Sequence, residues 1–203
     1  MRTVQWSRVL VWLLAAVAVA IAISFGACTQ DDAFISFRYA ENLARGEGLV
    51  FNPGERVEGF TNLSWTLFLA AALRLGAEPV SLTVAAGLAS LAGIVLLVPR
   101  LAQDSPRSSG DPSDALLAGV LAAALLATDA GLALEAVQGL ETAFYTLVGL
   151  GGALVALAEQ RRGRGHVGSS VLFALAASTR PEGPVLWLGV HAGLAWDARV
   201  RAG

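Results

Sequence analysis

The residues best equipped for chemistry are two adjacent carboxylates, Asp31 and Asp32, which open TQDDAFISFRYAENLARG directly after the first long apolar run. A carboxylate within hydrogen-bond reach of a hydroxyl can take its proton as that oxygen attacks an electrophile. Neighbouring helical positions point in different directions, so one of the pair can face a substrate while the other caps the helix or orients its neighbour. Both can equally do no more than cap and solvate a surface helix. Arg38 in the same stretch, Arg56 in GERVEG and Arg180 in STRPEG offer the planar, permanently charged fork that suits phosphate. Each also has a structural use: Arg180 can pair with Glu182 or snorkel, and Arg56 stands between Glu55 and Glu58. Glu58, Asn62 and Glu141 can hydrogen-bond a polar ligand, although Glu141 in GLETAFYTL also suits a helix start, where negative charge is favoured. Tyr39, Trp65 and Tyr145 can stack on a ligand or anchor at a membrane interface.

Other chemistries have less to draw on. His166 and His191 have no second ligand at suitable spacing, so no metal centre is expected from them. Cys28 is the lone cysteine and makes no internal disulfide. The glycines gather in GLGGA and GLASLAG, where small residues let membrane helices approach closely, and nothing has the form of a phosphate-binding glycine loop.

The chain that must position these groups is oily. It is 55% hydrophobic and only 15% charged, with a mean hydropathy of +0.62, outside the usual soluble range. The lipid bilayer is therefore a partner. A net charge of -2 gives no basic field to recruit nucleic acid. All fourteen basic residues are arginine.

The run Val9 to Ala27 carries no charge and is long enough to cross a hydrocarbon core of roughly 30 Å. SFGAC has the outline of a lipoprotein cleavage box, but the chain keeps returning to the membrane, so Cys28 reads as a small apolar residue at a helix end. Further apolar segments run from Pro79 to Val98, Ala115 to Thr128, Thr142 to Leu157, Val167 to Ala177 and Pro184 to Trp196. If Thr61 to Leu75 lies along the interface instead of spanning, PRLAQDSPRSSGDPSD, EQRRGRG and DARVRAG all fall on the side of Arg2 and Arg8, as the positive-inside bias prefers. The expectation is an all-α, polytopic transmembrane helix bundle of about six crossings, with both ends cytoplasmic.

That threading places the loop 28–75 outside, together with EAVQGLET and STRPEG. Asp32 can cap a helix whose Ile35, Tyr39 and Leu43 make an apolar stripe, with Gly46 as its stop. Asn52-Pro53-Gly54 is turn chemistry, Gly59 a second flexible point, and Thr61 or Asn62 can cap a second interfacial helix with Trp65 at headgroup depth. Asn62-Leu63-Ser64 is formally a glycosylation sequon, a pattern common by chance.

DDAFISFRYAENLARGEGLVFNPGERVEGFTN resembles the first extracytoplasmic loop of GT-C class polytopic glycosyltransferases, in particular actinobacterial terminal arabinofuranosyltransferase-like proteins; GLETAFYTL and TRPEG follow in matching order. The resemblance implies a loop with two juxtamembrane helices, a polyprenyl-phosphate-linked sugar donor, an extracytoplasmic glycan acceptor and a plasma-membrane location. It implies Asp31 as general base, with Asp32 orienting it or capping. Arg38, Arg180 and, more weakly, Arg56 would meet the donor phosphate, and Glu58, Asn62, Glu141 and Tyr39 the sugars. No cofactor is required by it, while a divalent cation at Asp31 and Asp32 stays open. Members are usually longer, so it implies an N-terminal module, residues 1–203, lacking the family's C-terminal helices and soluble domain. Two functions follow: an inverting membrane glycosyltransferase, or its catalytic-loop half, moving a sugar such as arabinofuranose; or a non-catalytic scaffold that binds the carrier.

Overall fold

The computed structural model describes residues 2–105 and 111–202. Arg107 of the expected inner loop and the side chains of Arg2 and Arg201 lie outside the described residues. The described chain is all-helical: α1 Arg2–Ser24, α2 Asp31–Ala44, α3 Leu63–Arg74, α4 Pro79–Asp104, α5 Pro112–Ala127, α6 Ala130–Glu135, α7 Thr142–Arg161, α8 Val167–Thr179 and α9 Gly183–Ala202.

Three helices are long and apolar enough to cross a membrane, over Trp6–Ser24, Pro79–Asp104 and Thr142–Arg161. Helix α5, with 16 residues, and α8, with 13, rise only about 24 and 20 Å at 1.5 Å per residue. Helix α9 has the length, with 20 residues, but Asp197 and Arg199 interrupt its apolar character near the end.

Helix α4 is the centre of the bundle, packed against α1, α5 and α7, while α7 in turn holds α8. Alanine dominates this interior: Ala15, Ala18, Ala22, Ala123, Ala127, Ala133, Ala136 and Ala143 pack with Leu91 and Val95. Small side chains suit a bundle in lipid, where close backbone approach drives association more than apolar burial does. Gly87 of α4 shows this directly, because a Cβ there would overlap the carbonyl oxygen of Ala136, just beyond α6.

A second core joins the loop to the bundle. Helix α2 packs on α3 through Phe37, Ala40, Trp65 and Leu69, with Leu140 and Phe144 against them. Trp65 is buried here, its ring 5.7 Å from that of Phe144. It is thus a core residue and not the headgroup anchor expected from sequence. Of the expected stripe, Tyr39 is buried and Leu43 packs against this core, whereas Ile35 is exposed; Ala33, Ser36, Phe37 and Ala40 complete the buried face. Helix α1 ends at Ser24, and α2 begins one residue before the expected cap, with Gln30 at the N-cap and Asp31 and Asp32 in its first turn.

The two ends of the bundle differ. At one, Arg161 of α7 pairs with Asp104 of α4, and Glu159 accepts from the amides of Gly168 and Ser169 at the start of α8. At the other, the starts of α2, α3 and α7 meet the end of α8, and this is where the chemically interesting residues collect.

Candidate functional site

The first turn of α2 is covered by the segment between α6 and α7. The Gln30 amide donates to the Gln138 carbonyl at 3.0 Å, and Gly139 sits against Thr29, Ala33 and Phe37. Asp31 and Asp32 are exposed beside this contact, and neither side chain has a hydrogen bond or ion pair among the described residues. They project from the positive end of α2, where backbone amides favour negative charge. Asp32 does not cap: the extended Gln30 residue holds that position.

Immediately inside lies a buried polar network. Asn62 Nδ2 donates to Glu141 Oε2 at 2.8 Å and to Ser36 Oγ at 2.9 Å, while Thr66 Oγ1 donates to Asn62 Oδ1 at 3.0 Å. Arg180 Nη1 donates to Thr142 Oγ1 at 3.3 Å and lies 3.7 Å from Glu141 Oε1. Its Nε reaches Glu182 Oε2 at 3.4 Å, and the guanidinium stands 5.9 Å from the centroid of the Tyr145 ring. Ser64 and Thr179 hydroxyls share a bond of 2.6 Å. The network therefore joins α2, the starts of α3 and α7, and the end of α8. Glu141 is 8% exposed, so its charge is held by Asn62 and Arg180, as a buried carboxylate requires. Asn62 stands at the N-cap position of α3, but its side chain is committed to Ser36 and Glu141, which closes the sequon to modification in the folded state.

The rest of the loop is pinned to α2 by its own buried polar side chains. Asn42 Nδ2 donates to the carbonyls of Val50 and Phe51, each at 2.9 Å, and Arg38 Nε donates to Phe51 at 3.1 Å. Tyr39 Oη donates to the Val57 carbonyl at 2.7 Å and accepts from the Gly59 amide at 2.9 Å. Tyr39 is fully buried with its ring against Phe51 and Phe60, so it serves as a pin and not as a platform for a sugar. The expected turn is present, with the Glu55 amide bonded to the Asn52 carbonyl at 3.1 Å.

The sequence-derived residues thus fall into two groups. Asn62, Glu141 and Arg180 share the network that Ser36, a helical turn after Asp32, joins to α2. Arg56 and Glu58 instead line a cleft of about 640 Å³ between segments 47–50 and 56–61. Arg38 belongs to neither: its Nε donates to the Phe51 carbonyl, while its Nη groups make no hydrogen bond or ion pair among the described residues. Gln138 was not foreseen: it is buried, its Oε1 has no partner among the described residues, and its carbonyl accepts from the amide of Gln30, the residue before Asp31. Only its place in EAVQGLET signalled it.

At the opposite end His166 and His191 come together, with ring centroids 4.9 Å apart and His166 Nδ1 3.7 Å from Glu159 Oε2. Spacing along the chain had shown neither as the other's neighbour. Among the described residues, no three His, Cys, Asp or Glu side chains are grouped so as to hold a metal ion. Two adjacent carboxylates suit a magnesium-like cation only jointly with water and a bound phosphate.

An all-helical fold with membrane-length apolar helices and a polar site at one end defines a helical membrane protein. No family model matches the chain, and no solved structure matches it. Over 99 residues it is 40% identical to the "Terminal beta-(1->2)-arabinofuranosyltransferase" of Mycobacterium tuberculosis (strain ATCC 25618 / H37Rv). The match takes in 45% of this chain and 16% of that relative. The similarity relates this chain to that arabinofuranosyltransferase over part of its length, and it takes in well under two thirds of the relative.

Proposed function

We propose that this chain is a membrane glycosyltransferase of the GT-C type, or its catalytic-loop half. It transfers a sugar from a polyprenyl-phosphate donor to an extracytoplasmic cell-envelope glycan, with inversion; arabinofuranose is the sugar suggested by the relative's name. The observation that carries the reading is the convergence of GFTN, GLET and STRP on one network that Ser36, a helical turn after Asp32, joins to α2, at the bundle end opposite Arg161, Arg162 and Arg164. With those arginines cytoplasmic, the network and Asp31 face outward at the plasma membrane, and the shorter α5, α8 and α9 complete about six crossings.

In the proposed step, the acceptor hydroxyl oxygen attacks the anomeric carbon from the face opposite the phosphate. The bond from that carbon to the phosphate oxygen breaks, polyprenyl phosphate leaves with the electron pair, and Asp31 takes the hydroxyl proton. Asp32 orients its neighbour or the acceptor. Arg180, whose side chain remains 34% exposed between Glu141 and Glu182, meets the leaving phosphate. Asp31 and Asp32 would hold a divalent cation, where present, and it would offset negative charge on the leaving group.

The test is transfer of label from a radiolabelled polyprenyl-phosphate arabinofuranose to an arabinan acceptor, in membranes carrying the chain and in membranes without it. Transfer that depends on the chain supports the reading. Donor binding without transfer would leave a carrier-binding scaffold.

A further inference from the structure

The cleft between segments 47–50 and 56–61 is built with an economy unusual for an exposed loop. Both walls are tied to α2 by side chains that are themselves fully buried: Asn42 holds the carbonyls of Val50 and Phe51, and Tyr39 holds Val57 and Gly59. The Asn42 amide nitrogen and the Tyr39 hydroxyl both find backbone partners, which fixes the loop walls, while Asn42 Oδ1 is left without a partner among the described residues. The charged side chains on those walls are not used for folding. Glu55, which could have neutralised Arg56, accepts from Asn52 at 3.0 Å instead. The side chains of Glu47, Arg56 and Glu58 make no hydrogen bond or ion pair among the described residues, and all three line the cleft.

The charge balance points to the kind of ligand. Two carboxylates against one guanidinium leave the cleft with a net negative charge, which opposes a phosphate. Neutral hydroxyls suffer no such repulsion, since a hydroxyl donates to carboxylate and accepts from guanidinium. Leu49, Val50, Phe60 and Leu63 supply the apolar remainder, matching the C–H faces of a sugar. We infer that the cleft binds a neutral oligosaccharide through Glu47, Arg56 and Glu58. It is the acceptor's subsite, and Arg56 contacts hydroxyls, not the donor phosphate. The inference rests on the glycosyltransferase reading only for the word acceptor; the binding site stands without it.

The test is saturation-transfer NMR on the full chain in nanodiscs, with a neutral arabinofuranose tetrasaccharide as probe and methyl phosphate as competitor. The wild type and an Arg74→Gln control should bind the tetrasaccharide alike. Glu47→Gln/Glu58→Gln and Arg56→Gln should each weaken it about tenfold or more, the scale of one hydrogen bond to a charged group. Methyl phosphate should not displace it. Absence of tetrasaccharide binding in the wild type, unchanged binding in the cleft variants, or displacement by methyl phosphate would each overturn the inference. The two readings fail separately. Tetrasaccharide binding with no transfer removes the enzyme and leaves the cleft, whereas transfer with an unaltered acceptor KM in Glu47→Gln/Glu58→Gln removes the cleft and leaves the enzyme.

Discussion

Asn62 Nδ2 donates to Glu141 Oε2 at 2.8 Å, joining residues 79 positions apart in the chain. This bond ties the start of α3 to the start of α7 and holds a buried carboxylate next to the first turn of α2. Asn62→Ala leaves Glu141, Ser36 and Thr66 each short of a partner and should cost about 2 kcal/mol. Asn62→Asp sets two carboxylates against each other and should cost more. Thermal unfolding in detergent checks both, and wild-type midpoints in both would refute the network's structural role.

Tyr39→Phe removes the hydroxyl that holds Val57 and Gly59 while keeping the ring among Phe51 and Phe60. The expected outcome is local. Amide exchange in segment 56–60 should accelerate, and α3 should keep its protection. Equal acceleration in both would mean that the hydroxyl supports the whole loop and not one wall of the cleft.

Gly87→Val forces a side chain into the Ala136 carbonyl. Backbone cannot yield as a flexible side chain would, so α4 and the segment after α6 must separate, at a cost of about 3 kcal/mol or more. Because that segment continues into Gln138 and Glu141, transfer should fall together with stability. Gly87→Val with wild-type stability would show that the close approach is dispensable.

Glu78 caps α4, its carboxylate accepting from the amides of Val80 and Ser81. The Ser81 amide, followed by its hydroxyl and the Val80 amide, holds this carboxyl below the ordinary value of 4.5. A depressed folded value means that the contribution is present above the unfolded value and is lost as pH falls through the folded one. Glu78→Gln should therefore lower stability at pH 7 and converge with wild type in strong acid. A gap that is constant with pH would assign the effect to packing.

Much of the helical layout was legible because apolar period and punctuation coincide. The stretch from a cap at Asp32 to a stop at Gly46 reads as one helix, Thr61 to Leu75 as another, and both are present within two or three residues. The small helix α6 was missed although Asp129 caps it, since six residues carry too little periodicity. The site was less legible, for two physical reasons. Asn62 and Glu141 meet only through tertiary packing. Tyr39 and the Asn42 amide nitrogen are spent on loop backbone, and backbone groups leave no mark in a sequence. The same applies to Trp65, whose type suits an interface as well as the core in which it lies.

The central claim is that Asp31 takes the acceptor's proton, and the most direct measurement is the initial rate of labelled sugar transfer by Asp31→Asn beside Asp32→Asn. Loss of a general base predicts a fall of roughly 10²- to 10⁴-fold in kcat for Asp31→Asn, with donor binding retained and a smaller loss for Asp32→Asn. Transfer by Asp31→Asn at the wild-type rate would contradict the account and leave Asp31 as a charge at the end of a helix.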